Sequence, residues 1–312
     1  MNSKSTVDAG AFAGFWQRLG AFAIDVLVIA MVGLAIGHFF VDELVQIGAW
    51  GRLIGFVVAG LYFGILNSKL TGGQTLGKRL LNIKVVSRDG APLPLPTSLL
   101  RYIPLGLPWF LNNAQFPMDW LMSPLLYLLA LLIFGLGLAC IYLFIFNRPS
   151  RQVLHDLVAH SYVVRVEAVG AVVVAPTRQV HLIVAGVLIA ISAALPLVSK
   201  MLIHQEPFAG LLAAYQSASA EPSVYNVQVS KGWSSTSNGQ VTYVTVQASI
   251  HDPAVDDVQR AKRLARRVIE ADPSVKSVDV IQVVMVYGYD LGFTSYSTSQ
   301  THSNPPTAWL VD

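Results

Sequence analysis

An arginine and an aspartate, Arg18 and Asp25, stand seven residues apart at the start of the first long apolar segment. In a helix this spacing puts both side chains on one face, about two turns apart. An aspartate this deep in a membrane span costs roughly 2.5–3.5 kcal/mol on insertion scales, so something must stabilise it. Two interpretations remain open: a proton or cation site, or an ion pair with Arg18 that fixes helix packing.

A second polar pair, His155 and Asp156, follows a later apolar segment. Asp156 is expected either to close a network with Arg18 or to cap the segment 153–159. His155 titrates near neutral pH in its ordinary state, which would suit a proton relay. Adjacent residues on a helix do not face each other, so we expect the two to contact different partners. The predicted ion or proton network comprises Arg18, Asp25, His155 and Asp156.

A glycine-rich loop, residues 72–78, matches the start of a phosphate-binding loop, G-x-x-x-x-G-K. The match ends at Arg79, where that motif needs Ser or Thr to hold Mg²⁺. The loop also follows an apolar span rather than a sheet strand, which argues against nucleotide binding. We predict instead a tight turn that presents Lys78 and Arg79 to anionic lipid headgroups, worth about 1 kcal/mol per charge.

Composition excludes several classes of protein. The 312 residues are 54% hydrophobic and 12% charged, whereas soluble globular proteins carry about 25% charged residues. A net charge of +3 without a long basic run gives no indication of nucleic-acid binding. The one cysteine, Cys140, permits neither a disulfide within one chain nor a cysteine-based metal site, and no histidine pattern completes a zinc site. We predict no cofactor, no metal and no catalytic constellation, and therefore no enzyme.

The elements that must position these residues are helical membrane spans. About five are predicted, over residues 19–41, 47–66, 99–111, 121–146 and 180–198. The segment 99–111 is short and contains Pro104 and Pro108, so it is either a broken span or a re-entrant segment. The basic residues of 68–101 and 147–179 place both loops in the cytoplasm with the N-terminus. Five crossings satisfy this rule and export the chain after Lys200.

The composition changes near residue 223. Residues 224–229 and 241–250 alternate with period two, which predicts strands. A helix with an apolar stripe up to Ala271 and a strand at 275–287 follow. We expect a linker at 200–222 and then a periplasmic α+β domain at 223–312, with one helix on an antiparallel sheet. The helix carries a basic face that is either solvated or contacts the membrane surface or an acidic envelope partner: Arg260, Lys262, Arg263, Arg266 and Arg267.

Three motifs, in order along the chain, resemble those of the RDD family of bacterial membrane proteins. They are Ala13-Gly14-Phe15-Trp16-Gln17-Arg18 with Ala21-Phe22-Ala23-Ile24-Asp25, then Gly73-Gln74-Thr75-Leu76-Gly77-Lys78-Arg79 with Lys84-Val85-Val86, and last Leu154-His155-Asp156-Leu157 with Val163-Val164. The resemblance covers roughly residues 11–165, within a membrane domain of residues 1–170. It implies that Arg18, Asp25 and Asp156 are the arginine and two aspartates that name the family. It also implies a transport role, with cation/proton antiport in at least one member.

Two hypotheses of function follow. In the first, the chain is a transport-type protein in which Arg18, Asp25 and Asp156 form a polar network inside the helical core, for monovalent cation/proton exchange. In the second, it is a non-enzymatic envelope protein whose membrane core anchors a partner-binding periplasmic domain. Charged residues are too few to define a translocation path within one protomer, so the sequence is compatible with a homodimer.

Overall fold

The computed structural model describes residues 6–7, 11–116, 120, 122–148, 150–168, 170–172, 177–202, 210–222, 224–236 and 239–311. The chain forms two compact units. The first comprises Met1–Ala35, Arg52–Pro196 and Leu291–Thr294, and the second Ile36–Gly51, Leu197–Asp290 and Ser295–Asp312. Parts of the sequence predictions lie outside the described residues, among them Leu121 at the start of a predicted span, residues 173–176 of the second basic loop, residues 203–209 of the linker and residue 223 at the start of the C-terminal domain.

Four described helices are long and apolar enough to cross a membrane: Phe15–Phe39, Val41–Leu66, Leu125–Phe146 and Gln179–Val198. The helix Phe15–Phe39 is α1, and Leu125–Phe146 is α6. The segment Val41–Leu66 consists of α2, Val41–Ile47, and α3, Gly51–Leu66. The last of the four segments is part of α8, Gln179–Leu202. Large apolar side chains point outward from them, with Met31 70% and Ile183 64% exposed. Lipid is the solvent that such surfaces require. The predicted helices at these four segments are confirmed as candidate membrane spans.

The proline-containing segment forms one continuous helix, α5, at Leu95–Leu111. Pro108 has no N–H to donate to the Pro104 carbonyl, and the thiol of Cys140 donates to that carbonyl instead, at 3.6 Å. The helix runs antiparallel along α3, because Leu99 lies against Gly64 and Phe110 against Gly55. The expectation of a broken segment is therefore wrong, since α3 glycines admit the helix closely and a neighbouring side chain satisfies the freed carbonyl.

Short elements at one end of the helices complete the first unit. They are α4, Leu76–Leu80, α7, Leu154–Val158, and the antiparallel strands β2, Ile83–Ser87, and β3, Ser161–Arg165; β1, Thr6–Val7, pairs in parallel with β4, Ala171–Val172. The register places Lys84 opposite Val164 and Val85 opposite Val163. Two of the motifs that resemble the RDD family, far apart in sequence, thus meet as neighbouring strands.

The second unit contains a four-stranded sheet of β5, Val224–Thr236, β6, Gly239–Ile250, β7, Val280–Asp290, and β8, Ser295–Asn304, in that spatial order. The outer pairs are antiparallel, but β6 and β7 are parallel. The chain between them contains α10, Val258–Ala271, which is long enough to return it to the same end of the sheet. The predicted all-antiparallel sheet is therefore wrong at this pair.

The helix α10 packs on the sheet, and two shorter helices extend the core. They are α9, Leu211–Ser219, and α11, Pro306–Leu310. Ala214 and Ala218 of α9 and Trp309 of α11 are buried in the same cluster as Leu264 and Val246. The predicted linker at 200–222 is therefore wrong for residues 211–219, where small alanines made a buried helix look like a connecting segment.

Candidate functional site

The carboxylate of Asp25 is fully buried on α1 and receives three neutral hydrogen-bond donors. Tyr62 Oη of α3 donates to Oδ1 at 2.8 Å, Thr75 Oγ1 donates to Oδ2 at 2.6 Å, and the backbone N of Gly77 donates to Oδ1 at 2.8 Å. Among the described residues no basic side chain lies within ion-pair distance of Asp25. Among the described residues, Asp25 therefore does not form the ion pair with Arg18 that the sequence suggested. Hydroxyl and backbone dipoles stabilise its carboxylate instead.

The glycine-rich loop wraps around this carboxylate. Thr75 caps α4 by accepting a hydrogen bond from the backbone N of Lys78. A Cβ atom at Gly77 would lie 2.1 Å from the Ala21 carbonyl oxygen and 3.0 Å from Asp25 Oδ1, so only glycine lets the loop approach α1 this closely. A loop that in nucleotide-binding proteins cradles phosphate here cradles a carboxylate of its own chain.

Asp156 is also fully buried, but two arginines neutralise it. Arg18 Nη2 lies 2.6 Å from Oδ2, and Arg101 Nη2 and Nε lie 2.6 and 3.0 Å from Oδ1. The carboxylate also accepts from the backbone N of Val153 at 3.2 Å, so it both joins Arg18 and caps α7. Burial alone would raise the pKa of Asp156, but the guanidinium groups of Arg101 and Arg18 outweigh it and hold that pKa well below its usual range.

His155 lies beside this ion pair in a buried position. Its Nε2 is 3.6 Å from Asp156 Oδ1, so the two neighbours face each other at closer range than helical geometry led us to expect. The pKa of His155 is lowered to about 3, chiefly by burial. The positive charges of Arg101 and Arg18 contribute to this shift, while the negative charge of Asp156 opposes it. An imidazole with this pKa is neutral near pH 7, and the proton relay through His155 stays a prediction.

The two basic residues of the loop differ in environment. Lys78 is half-buried, and its Nζ donates to Thr75 Oγ1 at 3.3 Å. Burial and the positive charge of Arg101 lower the pKa of Lys78 to about 7. Arg79 is exposed, with its Nη2 3.5 Å from the Thr71 carbonyl oxygen. Arg79 is the more exposed of the two side chains, and contact with lipid headgroups stays a prediction for both residues.

Sequence reasoning missed Arg101, which we had counted among the basic residues of a loop. It lies one-third of the way along α5, only 7% exposed, and also donates to Ser161 Oγ at 3.1 Å. Tyr62 and Thr75 were missed as well. One signal was present, because Arg101 interrupts an apolar helix just as Asp25 does, and intramembrane charges pair with one another.

The basic face of α10 is largely engaged within its own domain. Nε atoms of Arg263 and Arg267 lie 2.7 and 3.0 Å from the two carboxylate oxygens of buried Glu221. Arg260 pairs with Asp252 at 3.0 Å, and Arg266 donates to the Trp309 carbonyl oxygen at 3.0 Å. These contacts fasten α9 and α11 to α10 and leave less free charge for an external partner.

Comparisons with known proteins agree with the motifs. The sequence profile of the RDD family matches residues 12–160, which include both carboxylates, Asp25 and Asp156, and the two arginines that pair with Asp156. The chain is similar to the uncharacterized protein YckC of Bacillus subtilis (strain 168), with 30% identity over 151 residues that cover 48% of this chain and 83% of that protein. No solved structure matches it. The profile match, the relative and the meeting of the three motifs around Asp25 and Asp156 place the chain in the RDD family.

Proposed function

We propose that this RDD-family protein is a bacterial inner-membrane transport protein that exchanges monovalent cations for protons, with Asp25 as its proton-binding group. One observation carries the proposal: Asp25 is a fully buried carboxylate within a membrane helix whose described partners are all neutral. Intramembrane acids are costly and mark ion or proton pathways. A carboxylate that neutral donors hold can gain or lose a proton without breaking an ion pair.

The two aspartates therefore have different roles. Asp156 lies between Arg18 and Arg101, and protonating it would leave two guanidinium groups facing each other without a counter-ion. Its pairing ties α1 and α5 to α7, which is the role of a structural anchor. This separates the network that the sequence suggested into an exchanging group, Asp25, and a fixed one, Asp156.

The membrane topology belongs to the same proposal. The antiparallel run of α5 along α3 supports five crossings, with the loops 67–94 and 147–178 in the cytoplasm. Within the second unit, Tyr287 donates to Asp42 and Gln46 Nε2 donates to the His251 carbonyl oxygen at 2.9 Å. These bonds join the turn after the first span to the sheet, as expected if both are periplasmic.

Everted membrane vesicles test the proposal. Addition of sodium or potassium to energised vesicles should dequench a pH-sensitive dye with wild-type protein and not with Asp25→Asn, at matched protein levels. Asp25→Asn keeps the size of the side chain and one acceptor oxygen, which can still accept from Tyr62 Oη and the backbone N of Gly77. Equal dequenching in both samples, or none in either, would contradict monovalent cation/proton exchange through Asp25.

A second candidate function rests on the C-terminal domain. Its core of strands and helices, with Trp309 and Val246 buried, is built independently of the carboxylate sites. In this alternative the membrane core anchors a non-enzymatic, partner-binding domain. Deletion of residues 223–312 would then reproduce the phenotype of a full deletion, whereas the transport proposal expects the membrane half to retain cation-driven proton movement.

A further inference from the structure

The hydroxyl of Thr75 lies between two ionisable groups. It donates to Asp25 Oδ2 at 2.6 Å and accepts from Lys78 Nζ at 3.3 Å. A hydroxyl in this position can accept a proton on one side while it releases its own on the other. The three side chains therefore form a continuous hydrogen-bonded path from an amine to a carboxylate.

Burial gives this path a direction. Asp25 and Thr75 have no exposed surface, whereas Lys78 is half-buried. Tyr62 also donates to Asp25 and is half-buried, but among the described contacts of Asp25 only the one through Thr75 leads on to an amine. Lys78 is therefore the titratable group at the more exposed end of this path.

Charges on three neighbouring elements act on Lys78. Arg101 on α5 and Arg18 on α1 disfavour its ammonium form, while Asp25 on α1 and Asp156 on α7 favour it. His155 on α7 also lies close enough to interact with it and is neutral near pH 7. Together with burial, these charges bring the pKa of Lys78 to about 7, where it can both bind and release a proton.

We propose that Lys78 delivers protons to Asp25 through the hydroxyl of Thr75, an inference that rests on the proposed proton exchange at Asp25. In the forward step an N–H bond of the Lys78 ammonium breaks and a new O–H bond forms on Thr75. The original Thr75 proton moves to Asp25 Oδ2. The products are a neutral amine, an intact hydroxyl and a carboxylic acid, and the total charge of the three groups is unchanged. The amine then takes its next proton from water.

Amine labelling tests the first requirement without any transport measurement. The full chain in lipid nanodiscs is reductively methylated across a range of pH, and each lysine is quantified by peptide mass spectrometry. Lys78 should react with a midpoint near pH 7, so its unprotonated fraction at pH 7 is roughly a thousandfold that of a lysine in a model peptide, whose pKa is about 10.4. Asp25→Asn should move the Lys78 midpoint lower, because it removes a charge that favours the ammonium. A Lys78 midpoint near the model-peptide value of about 10.4 would overturn the proposal.

Variants of Thr75 test the relay itself. Thr75→Ser keeps the hydroxyl and should retain cation-driven proton movement in reconstituted liposomes, whereas Thr75→Val should lose at least tenfold of that rate with the Lys78 midpoint still low. Lys78→Arg keeps the positive charge but cannot release the proton near neutral pH, so it should also be inactive. Activity of Thr75→Val equal to that of Thr75→Ser would refute the relay. Loss of transport in Thr75→Ser with an unchanged Lys78 midpoint would also refute it, because the hydroxyl is present.

Discussion

Replacing Arg101 by glutamine would break the most buried ion pair of the first unit. Arg101 is 7% exposed and donates to Asp156 from two nitrogens, at 2.6 and 3.0 Å. Asp156 has no exposed surface, so it would retain a buried charge balanced by Arg18 alone. Breaking such a pair costs roughly 3–5 kcal/mol. For a folding unit of about 150–250 residues this lowers the melting temperature by roughly 6–20 °C.

The single cysteine of the chain can be used to measure this loss of stability. Cys140 is the one cysteine, is 8% exposed, and contacts the Pro104 carbonyl oxygen of α5. A maleimide dye that fluoresces on reaction with a thiol will therefore report unfolding as the purified protein is heated in detergent. Scan rates must be matched, because such unfolding is often irreversible. Arg79→Gln is the control, since this exposed arginine should shift the midpoint by only about 1–2 °C.

A midpoint for Arg101→Gln equal to wild type would refute the assignment of Asp156 as a structural anchor. The double variant Arg101→Gln/Asp156→Asn gives a further check. It removes the buried charge along with its partner, so it should cost less than the sum of the two single changes. Strict additivity would show that the two side chains are not coupled.

Three further changes test other parts of the structure. Gly77→Ala should lower the dye midpoint, because the new Cβ atom would lie 2.1 Å from a backbone oxygen of α1. Gly186→Ala is the control: no atom lies within 4 Å of the position of its Cβ, so the midpoint should stay unchanged or rise slightly. The dye midpoint should also fall as the pH drops from about 6.5 towards 3, because His155 binds a proton in the unfolded state while its folded-state pKa is about 3. The free energy of unfolding should fall by about 1.4 kcal/mol per pH unit over this range. His155→Gln should flatten this pH dependence, and an unchanged dependence in that variant would contradict the lowered pKa of His155. In pulse proteolysis of the full chain, Trp309→Ala should destabilise the C-terminal domain by about 3–5 kcal/mol, and Leu310→Ala, 44% exposed, by little; equal effects would contradict the burial of Trp309.

The parts of the fold that depend on local pattern were predictable. Long, mostly apolar runs predicted the long helices, and alternation predicted strands β5 and β6, because both patterns reflect which side of an element is buried. The predicted capping of α7 by Asp156 also agrees with the structure, since the first backbone N–H groups of a helix have no partner within the helix and a nearby carboxylate can accept from them.

The parts that depend on contacts distant in sequence were not predictable. Seven-residue spacing suggested Arg18 as the partner of Asp25, yet Arg18 reaches Asp156, 138 residues away, and a loop hydroxyl takes its place at Asp25. Helical periodicity contains no information about which other chain segments supply donors. The parallel pairing of β6 with β7 escaped prediction for the same reason, because strand patterns are alike in both orientations.

In the proposed mechanism Asp25 exchanges a proton, while Asp156 does not. Purified protein in liposomes with an internal pH-sensitive dye tests it directly, since no other transporter is present. A sodium or potassium gradient should drive proton movement with wild type and not with Asp25→Asn, although the two proteins melt within a few degrees of each other in the Cys140 assay. Proton movement through Asp25→Asn at the wild-type rate would contradict the claim.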